Sequence, residues 1–144
     1  MKFWDASAIV PLLVDEPPRE SLLDLLEGDP LVLVWWGTPV ECTSAVARRE
    51  REQSLTMAEA AKAIERMRAL VGEWQEVLPS EPVRTMAQRL LRVHPLRAAD
   101  SLQLAAAIIA SEQDPTSLDF VSLDERLNAA AGREGFRLFS AEPS

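Results

Sequence analysis

Short apolar segments alternate with longer amphipathic segments along the chain. The runs at residues 2–4, 31–35, 118–121 and 136–139 predict strands, and 74–78 is a weaker strand candidate. The run at 31–35 has the continuous apolar character of a strand buried on both faces. Between these runs, apolar residues recur at helical spacing. This alternation predicts a parallel sheet covered on both faces, in one three-layer α/β/α domain spanning residues 1–144.

Three of the predicted helices begin with the same polar signature. A Ser or Thr is followed three residues later by Glu, so that each side chain can bond a backbone N–H of the first turn. We therefore expect capping boxes where the helices begin near residues 38, 56 and 122. The pairs are Thr38 with Glu41, Thr56 with Glu59, and Ser122 with Glu125.

The segment from Pro95 to Ala110 is strongly helical and carries one carboxylate, Asp100, near its start. No charged residue follows Asp100 until Glu112, and apolar residues form two stripes at helical spacing. This pattern predicts a helix that is buried on most sides. Asp100 could simply complement the positive end of the helix dipole. It could instead be an oxygen ligand for a divalent metal, and the other acids decide between the two.

The composition narrows the class of protein. A net charge of -8 argues against a protein that holds nucleic acid by bulk electrostatics, although acids clustered around a metal would account for part of this excess. The single cysteine, Cys42, forms no internal disulfide, which fits a reducing cytosol. No apolar run reaches the roughly 18 residues of a membrane span, and the N-terminus lacks a signal-peptide pattern. We expect a soluble cytoplasmic protein with no membrane role.

The acids sort by their position relative to the predicted strands. Ligands of open parallel sheets bind beyond the carboxyl ends of the strands. Asp5 follows the first strand directly, Glu41 follows the second, and Asp124 follows the strand at residues 118–121. Asp119 precedes the core of that strand and belongs to the opposite rim. Asp100 has no strand directly before it, so its place depends on the buried helix.

Each of these acids alone could be a helix cap or a first-turn charge. Three acids on one rim and a fourth on a buried helix together favour a site for a hard cation such as Mg²⁺ or Mn²⁺, which prefers oxygen ligands. Such a cation can activate water and stabilise the leaving oxygen in phosphodiester hydrolysis. His94, the only histidine, is not needed as a general base. We expect it to be a surface or packing residue.

Four segments in order resemble the PIN domain, and most closely the VapC-type toxins of bacterial toxin-antitoxin pairs, over nearly the whole chain. They are Asp5-Ala6-Ser7, Pro39-Val40-Glu41, Ala99-Asp100-Ser101-Leu102-Gln103-Leu104-Ala105 and Val121-Ser122-Leu123-Asp124-Glu125-Arg126-Leu127. The resemblance implies a five-stranded parallel sheet of order 3-2-1-4-5 and Mg²⁺- or Mn²⁺-dependent endoribonuclease activity. It also implies a homodimer and a cognate antitoxin that occupies the site.

The resemblance also implies roles for individual residues. Ser122 stands where the family more often has Thr, and the fourth acid varies most across the family. Independently of the resemblance, Arg97 and Arg126 lie beside proposed site acids and are candidates for contacts with RNA phosphates. By position, the acidic quartet that would hold metal is Asp5, Glu41, Asp100 and Asp124, with Ser7 and Ser122 as supporting hydroxyls.

Other classes of protein fit the sequence less well. A phosphoacceptor receiver domain relies on a lysine near its C-terminal strands, and no lysine follows Lys62. A haloacid-dehalogenase-type phosphatase would have a second Asp where Ser7 stands. No glycine-rich phosphate-binding loop is present. The strongest non-enzymatic alternative is a PIN-like domain that serves protein interaction and is catalytically silent.

Overall fold

The computed structural model describes residues 1–139, which contain a five-stranded parallel sheet with helices on both faces. The spatial order is β3-β2-β1-β4-β5, and every neighbouring pair is parallel. This order confirms the topology that the resemblance implied. A single 3₁₀ turn, Pro115–Ser117, precedes β4. The strands are β1 Lys2–Trp4, β2 Val32–Trp35, β3 Gln75–Val77, β4 Asp119–Val121 and β5 Arg137–Phe139, and the helices are α1 Ala6–Leu13, α2 Arg19–Gly28, α3 Thr38–Arg51, α4 Met57–Val71, α5 Glu81–Val93, α6 Ala98–Ala110 and α7 Glu125–Arg133.

Successive residues of the central strand β1 point to opposite faces and belong to two separate cores. Trp4 packs in the core formed with α1 to α4, whereas Phe3 packs in the core formed with α5 to α7. Both rings are fully buried. Phe3 also stacks on Phe120 of β4, with ring centroids 5.6 Å apart. The three-layer prediction is therefore confirmed.

The capping box at Thr56 and Glu59 is present, with both reciprocal bonds formed. The one predicted at Thr38 is wrong, because α3 has Gly37 at its N-cap and Thr38 is its first helical residue. The Thr38 hydroxyl is fully buried and accepts a hydrogen bond from Gln103 on α6. It therefore contacts a neighbouring helix instead of its own backbone.

The capping box predicted at Ser122 is also wrong. Asp124 is the N-cap of α7, and its Oδ1 accepts from the backbone N–H of Leu127 at 2.9 Å. The Ser122 hydroxyl is buried and donates to Asp5 at the end of β1. The hydroxyl thus links two strands at the carboxyl rim of the sheet.

Helix α6 is buried along most of its length, as its apolar pattern predicts. From Ser101 to Ile108, every residue except Leu102 is buried, including the polar side chain of Gln103. No helix within residues 1–139 is long and apolar enough to cross a membrane.

Asp119 lies at the opposite rim of the sheet from Asp5, as predicted. It begins β4, where Arg137 Nε and Nη2 donate to its two carboxylate oxygens at 2.7 and 2.9 Å. Lys2 Nζ adds a contact of 3.0 Å. This carboxylate therefore belongs to a structural ion-pair network.

Candidate active site

The site is built around Asp5, which ends β1 and caps α1. Its backbone N–H donates to the carbonyl of Val121 in β4 at 2.9 Å, so the turns after the two strands lie side by side. Its carboxylate accepts from the backbone N–H of Ser7 as the helix N-cap. The residue is only 4% exposed. The fold therefore buries a carboxylate at the carboxyl end of its central strand.

Two serine hydroxyls fix the orientation of this carboxylate. Ser7 Oγ and Ser122 Oγ both donate to Asp5 Oδ2, at 2.5 and 2.9 Å. The Ser7 hydroxyl also accepts from the backbone N–H of Leu123 at 2.9 Å, which ties the β1–α1 turn to the β4–α7 turn. Asp5 Oδ1 accepts no hydrogen bond from residues 1–139. One oxygen is thus held by the protein, and the other is available to a ligand.

Glu41 reaches the site from the first turn of α3. Its side chain is half-buried, and its Oε2 accepts from Gln103 Nε2 on α6 at 2.7 Å. The same amide nitrogen donates to Thr38 Oγ1 at 3.0 Å. Glu41 is therefore held against the helix that carries Asp100.

Asp100 and Asp124 complete the acidic side of the site, and both are half-buried. Asp100 lies in the first turn of α6, where its charge interacts with those of Asp5, Glu41 and Asp124. Asp124 uses one carboxylate oxygen to cap α7. The structure therefore brings the four sequence-predicted acids into electrostatic contact through Asp100.

The pKa values of three acids reflect this crowding. Burial raises the pKa of Asp5, and the charge of Asp100 raises it further, although Ser7 and Ser122 oppose the change by donating hydrogen bonds. Burial raises the pKa of Glu41 to about 7, again with Asp5 and Asp100 adding repulsion. The pKa of Asp100 is raised by burial and by Asp124. The negative charges of these carboxylates are therefore unfavourable in the folded protein.

Cations near the site are few within the described chain. No Lys or Arg of residues 1–139 forms an ion pair with any of the four acids. Arg97 and Arg126 are exposed and lie close enough to Asp100 to offset part of its repulsion. Their guanidinium groups therefore flank the acids without neutralising them.

The donor set fits a hard divalent cation. The groups are carboxylate oxygens, Asp5 is buried without a countercharge, and an added cation would relieve the repulsion that raises the pKa values. Among residues 1–139, however, no three His, Cys, Asp or Glu side chains converge closely enough to form a ready-made metal cluster. Metal binding would therefore require the carboxylates to move toward one another, and the ligand roles of the quartet stay a prediction.

His94 does not belong to this site, in agreement with its expected packing role. It is buried, and its Nε2 lies 2.7 Å from Glu134 Oε2.

Gln103 is the site residue to which the sequence analysis assigned no role. The available signal was a polar amide three residues after Asp100, on the same side of an otherwise apolar helix.

The PIN domain family model matches residues 2–133. Ribonuclease VapC45 of Mycobacterium tuberculosis (strain CDC 1551 / Oshkosh) is 32% identical over 143 residues, covering 97% of this chain and 95% of the relative. Two solved structures share the fold. A toxin-antitoxin complex from Klebsiella pneumoniae has a TM-score of 0.65 at 12% identity, covering 100% of both chains. FitAcB from Neisseria gonorrhoeae has a TM-score of 0.66 at 21% identity, covering 98% of both chains.

Proposed function

Because the chain belongs to the PIN domain family, we propose that it is a Mg²⁺- or Mn²⁺-dependent endoribonuclease, the toxin of a VapC-type toxin-antitoxin pair. The relative named ribonuclease VapC45 aligns along nearly the full length of both chains, which supports RNA hydrolysis. The observation that carries the proposal is the buried Asp5 carboxylate. It has no countercharge within residues 1–139 and interacts with two further acids.

We assign the metal to Asp5, Glu41, Asp100 and Asp124. A bound Mg²⁺ or Mn²⁺ would supply an activated water and stabilise the charge that develops on the phosphate. Ser7 and Ser122 hold Asp5 Oδ2, so Oδ1 is the oxygen of this carboxylate that would bind the cation. The raised pKa values of Asp5, Glu41 and Asp100 support this assignment, because a divalent cation removes the repulsion that burial intensifies.

RNA binding is assigned to the edge of the acidic site. The protein carries a net charge of -8, so local cations must hold the substrate. Arg97 and Arg126 are exposed beside Asp100 and form no ion pair with another described residue. We assign them to the phosphates that flank the cleaved bond, since a guanidinium can bind a phosphate with two hydrogen bonds.

We also propose two protein partners, a cognate antitoxin and a second copy of this chain. We further assign the protein to the cytoplasm. A cognate VapB-type antitoxin that occupies the site is supported by the toxin-antitoxin complex among the structural neighbours. A homodimer is supported by exposed apolar side chains near the carboxyl ends of β2 and β3. Trp36 is 53% exposed, Leu78 63% and Val40 72%. The backbone N–H of Trp36 donates to the carbonyl of Val77, so Trp36 and Leu78 lie on neighbouring strand ends, and exposed apolar surface of this kind favours contact with another protein.

The proposal is tested by RNA cleavage in Mg²⁺ and in Mn²⁺, with Asp5→Asn and Asp100→Asn as the variants. Loss of an outer-shell partner alone costs metal sites about 10–100-fold. We therefore expect the loss of a direct ligand to reduce cleavage at least about 100-fold. EDTA should abolish cleavage by the wild-type protein.

Asp119→Asn is the matched control, since it makes the same change in a carboxylate at the opposite rim. It should leave cleavage unchanged under conditions where it remains folded. Wild-type cleavage by Asp5→Asn would contradict the proposal. A wild-type protein that binds RNA and antitoxin but cleaves no RNA in either metal would favour the silent interaction module instead.

A further inference from the structure

The Gln103 side chain joins the two helices that carry Glu41 and Asp100. Its Nε2 donates to Glu41 Oε2 at 2.7 Å and to Thr38 Oγ1 at 3.0 Å. Both acceptors belong to the start of α3, whereas Gln103 lies one turn after Asp100 in α6. A single amide nitrogen therefore sets the position of one acid relative to the element that supports another.

The amide is an unfavourable group at this position if packing is its only purpose. Gln103 is fully buried, and its Oε1 has no hydrogen-bond partner within residues 1–139. A buried carbonyl oxygen without a partner costs the folded state free energy. A methionine has nearly the same length and shape and would avoid that cost. The benefit of the amide must therefore lie in the contacts of its nitrogen.

Those contacts constrain Glu41 in a way that the rest of α3 does not. Glu41 forms no ion pair with residues 1–139, and Gln103 is the one described residue that donates a hydrogen bond to its carboxylate. A free glutamate side chain has three rotatable bonds and would sample many orientations. The amide binds Oε2 and leaves Oε1 of Glu41 for a ligand.

Thr38 fixes the orientation of the Gln103 amide. Its buried hydroxyl accepts from the same nitrogen, so the amide plane is anchored at two points. This also explains why Thr38 does not cap its own helix.

We propose that Gln103 is a positioning residue for the metal site, which holds the Glu41 carboxylate toward the ligand-binding side of Asp5 and Asp100. Gln103 does not contact the metal or the substrate. This inference rests on the proposed metal-dependent function and adds a residue to it. Partners of this kind around metal ligands typically contribute about 10–100-fold to metal affinity.

The test is Mn²⁺ binding by calorimetry on the metal-free, full-length protein, together with urea unfolding of the same samples. The variant is Gln103→Met, which keeps the volume and removes the donor. Its control is Ile108→Met, which places the same side chain at another buried position of α6. We expect Gln103→Met to weaken Mn²⁺ binding about tenfold, with an unfolding midpoint equal to or above that of the wild type.

Wild-type affinity in Gln103→Met would overturn the inference. So would a weaker affinity that comes with a lower unfolding midpoint or with an equal loss in Ile108→Met, since either result indicates a packing role. If Gln103→Met does not fold, Thr38→Val decides, because it removes one anchor of the amide with little change of shape. A several-fold weaker affinity in Thr38→Val supports the inference, and an unchanged affinity overturns it.

Asp5→Asn separates this inference from the function on which it rests. If Asp5→Asn loses Mn²⁺ binding and Gln103→Met does not, the metal site stands and the role of Gln103 fails. If the wild-type protein neither binds Mn²⁺ nor cleaves RNA, both fail.

Discussion

Glu41 should make the metal-free protein less stable as the pH rises. Burial and the charges of Asp5 and Asp100 raise its pKa from the ordinary 4.5 to about 7 in the folded state. Between these two values the folded protein keeps a proton that the unfolded chain releases. The free energy of unfolding must therefore fall with increasing pH, and the loss is complete once the pH passes the folded pKa.

The size of the effect follows from the same two values. A pKa change from 4.5 to about 7 corresponds to about 3 kcal/mol, at 1.36 kcal/mol for each pH unit. Glu41 is only half-buried, so solvent screening reduces this to about 2 kcal/mol. Asp5 and Asp100 also have raised pKa values and add losses of the same sign.

The assay is urea unfolding of the wild type and Glu41→Gln at pH 5 and pH 8 in EDTA. All other titrating groups are common to both proteins, so the comparison reports the titration of Glu41 together with its coupling to Asp5 and Asp100. Between pH 5 and pH 8 the wild type should lose about 2 kcal/mol more than the variant. At pH 8, saturating Mn²⁺ should stabilise the wild type by more than it stabilises the variant, because only the wild type keeps this ligand.

One result would refute the reasoning. If the two proteins lose equal stability between pH 5 and pH 8, Glu41 is not under electrostatic strain in the folded state. Glu41 would then add no electrostatic reason for the site to bind a cation.

The remaining predictions concern charged groups outside the quartet. Hydrogen bonds from Arg137, supported by Lys2, lower the pKa of Asp119 from 3.8 to about 2. This carboxylate therefore stabilises the fold above pH 4, and its contribution is lost as the pH falls toward 2. The change corresponds to about 2 kcal/mol, and because Arg137 is 80% exposed, screening leaves about 1 kcal/mol. Urea unfolding of Asp119→Asn at pH 7 should show this loss, and an equal loss at pH 2 would contradict the assignment. Arg97→Ala or Arg126→Ala should each remove one phosphate contact and weaken RNA binding to the cleavage-deficient Asp5→Asn protein. The salt dependence of binding should then fall by about one counterion. An unchanged salt dependence would show that these arginines do not contact the RNA.

Much of the fold could be predicted from local patterns because the sheet is parallel. Strands buried on both faces must be short and apolar, and the connecting helices must show helical spacing, so the two periods separate clearly in the sequence. The order of the strands in the sheet, in contrast, cannot be predicted from local patterns. The contact between β1 and β4 joins residues more than 100 positions apart, and here only the resemblance to a family supplied the order.

The positions of the four acids could be predicted to different degrees, because only three of them directly follow a strand. Asp5, Glu41 and Asp124 each follow a strand, and their position at the carboxyl rim follows from the topology of a parallel sheet. Asp100 follows no strand directly, and its proximity to Asp5 depends on how α6 packs against the sheet. That packing depends on the full set of core contacts, which no local pattern describes.

The two incorrect capping boxes and the unassigned Gln103 have a common physical cause. A helix N-cap is normally favoured because its hydroxyl satisfies a backbone N–H that would otherwise be unpaired. At Thr38 and Ser122 the hydroxyls are buried and bond polar side chains of other elements, Gln103 and Asp5. Ser122 Oγ also accepts from the backbone N–H of Asp124, which lies outside the helix. Asp124 caps α7 in place of Ser122, whereas the N-terminus of α3 has no side-chain cap. A hydroxyl that matches a capping signature but does not cap therefore indicates a neighbouring polar group that tertiary structure has placed there. In this protein both such hydroxyls contact the acidic site.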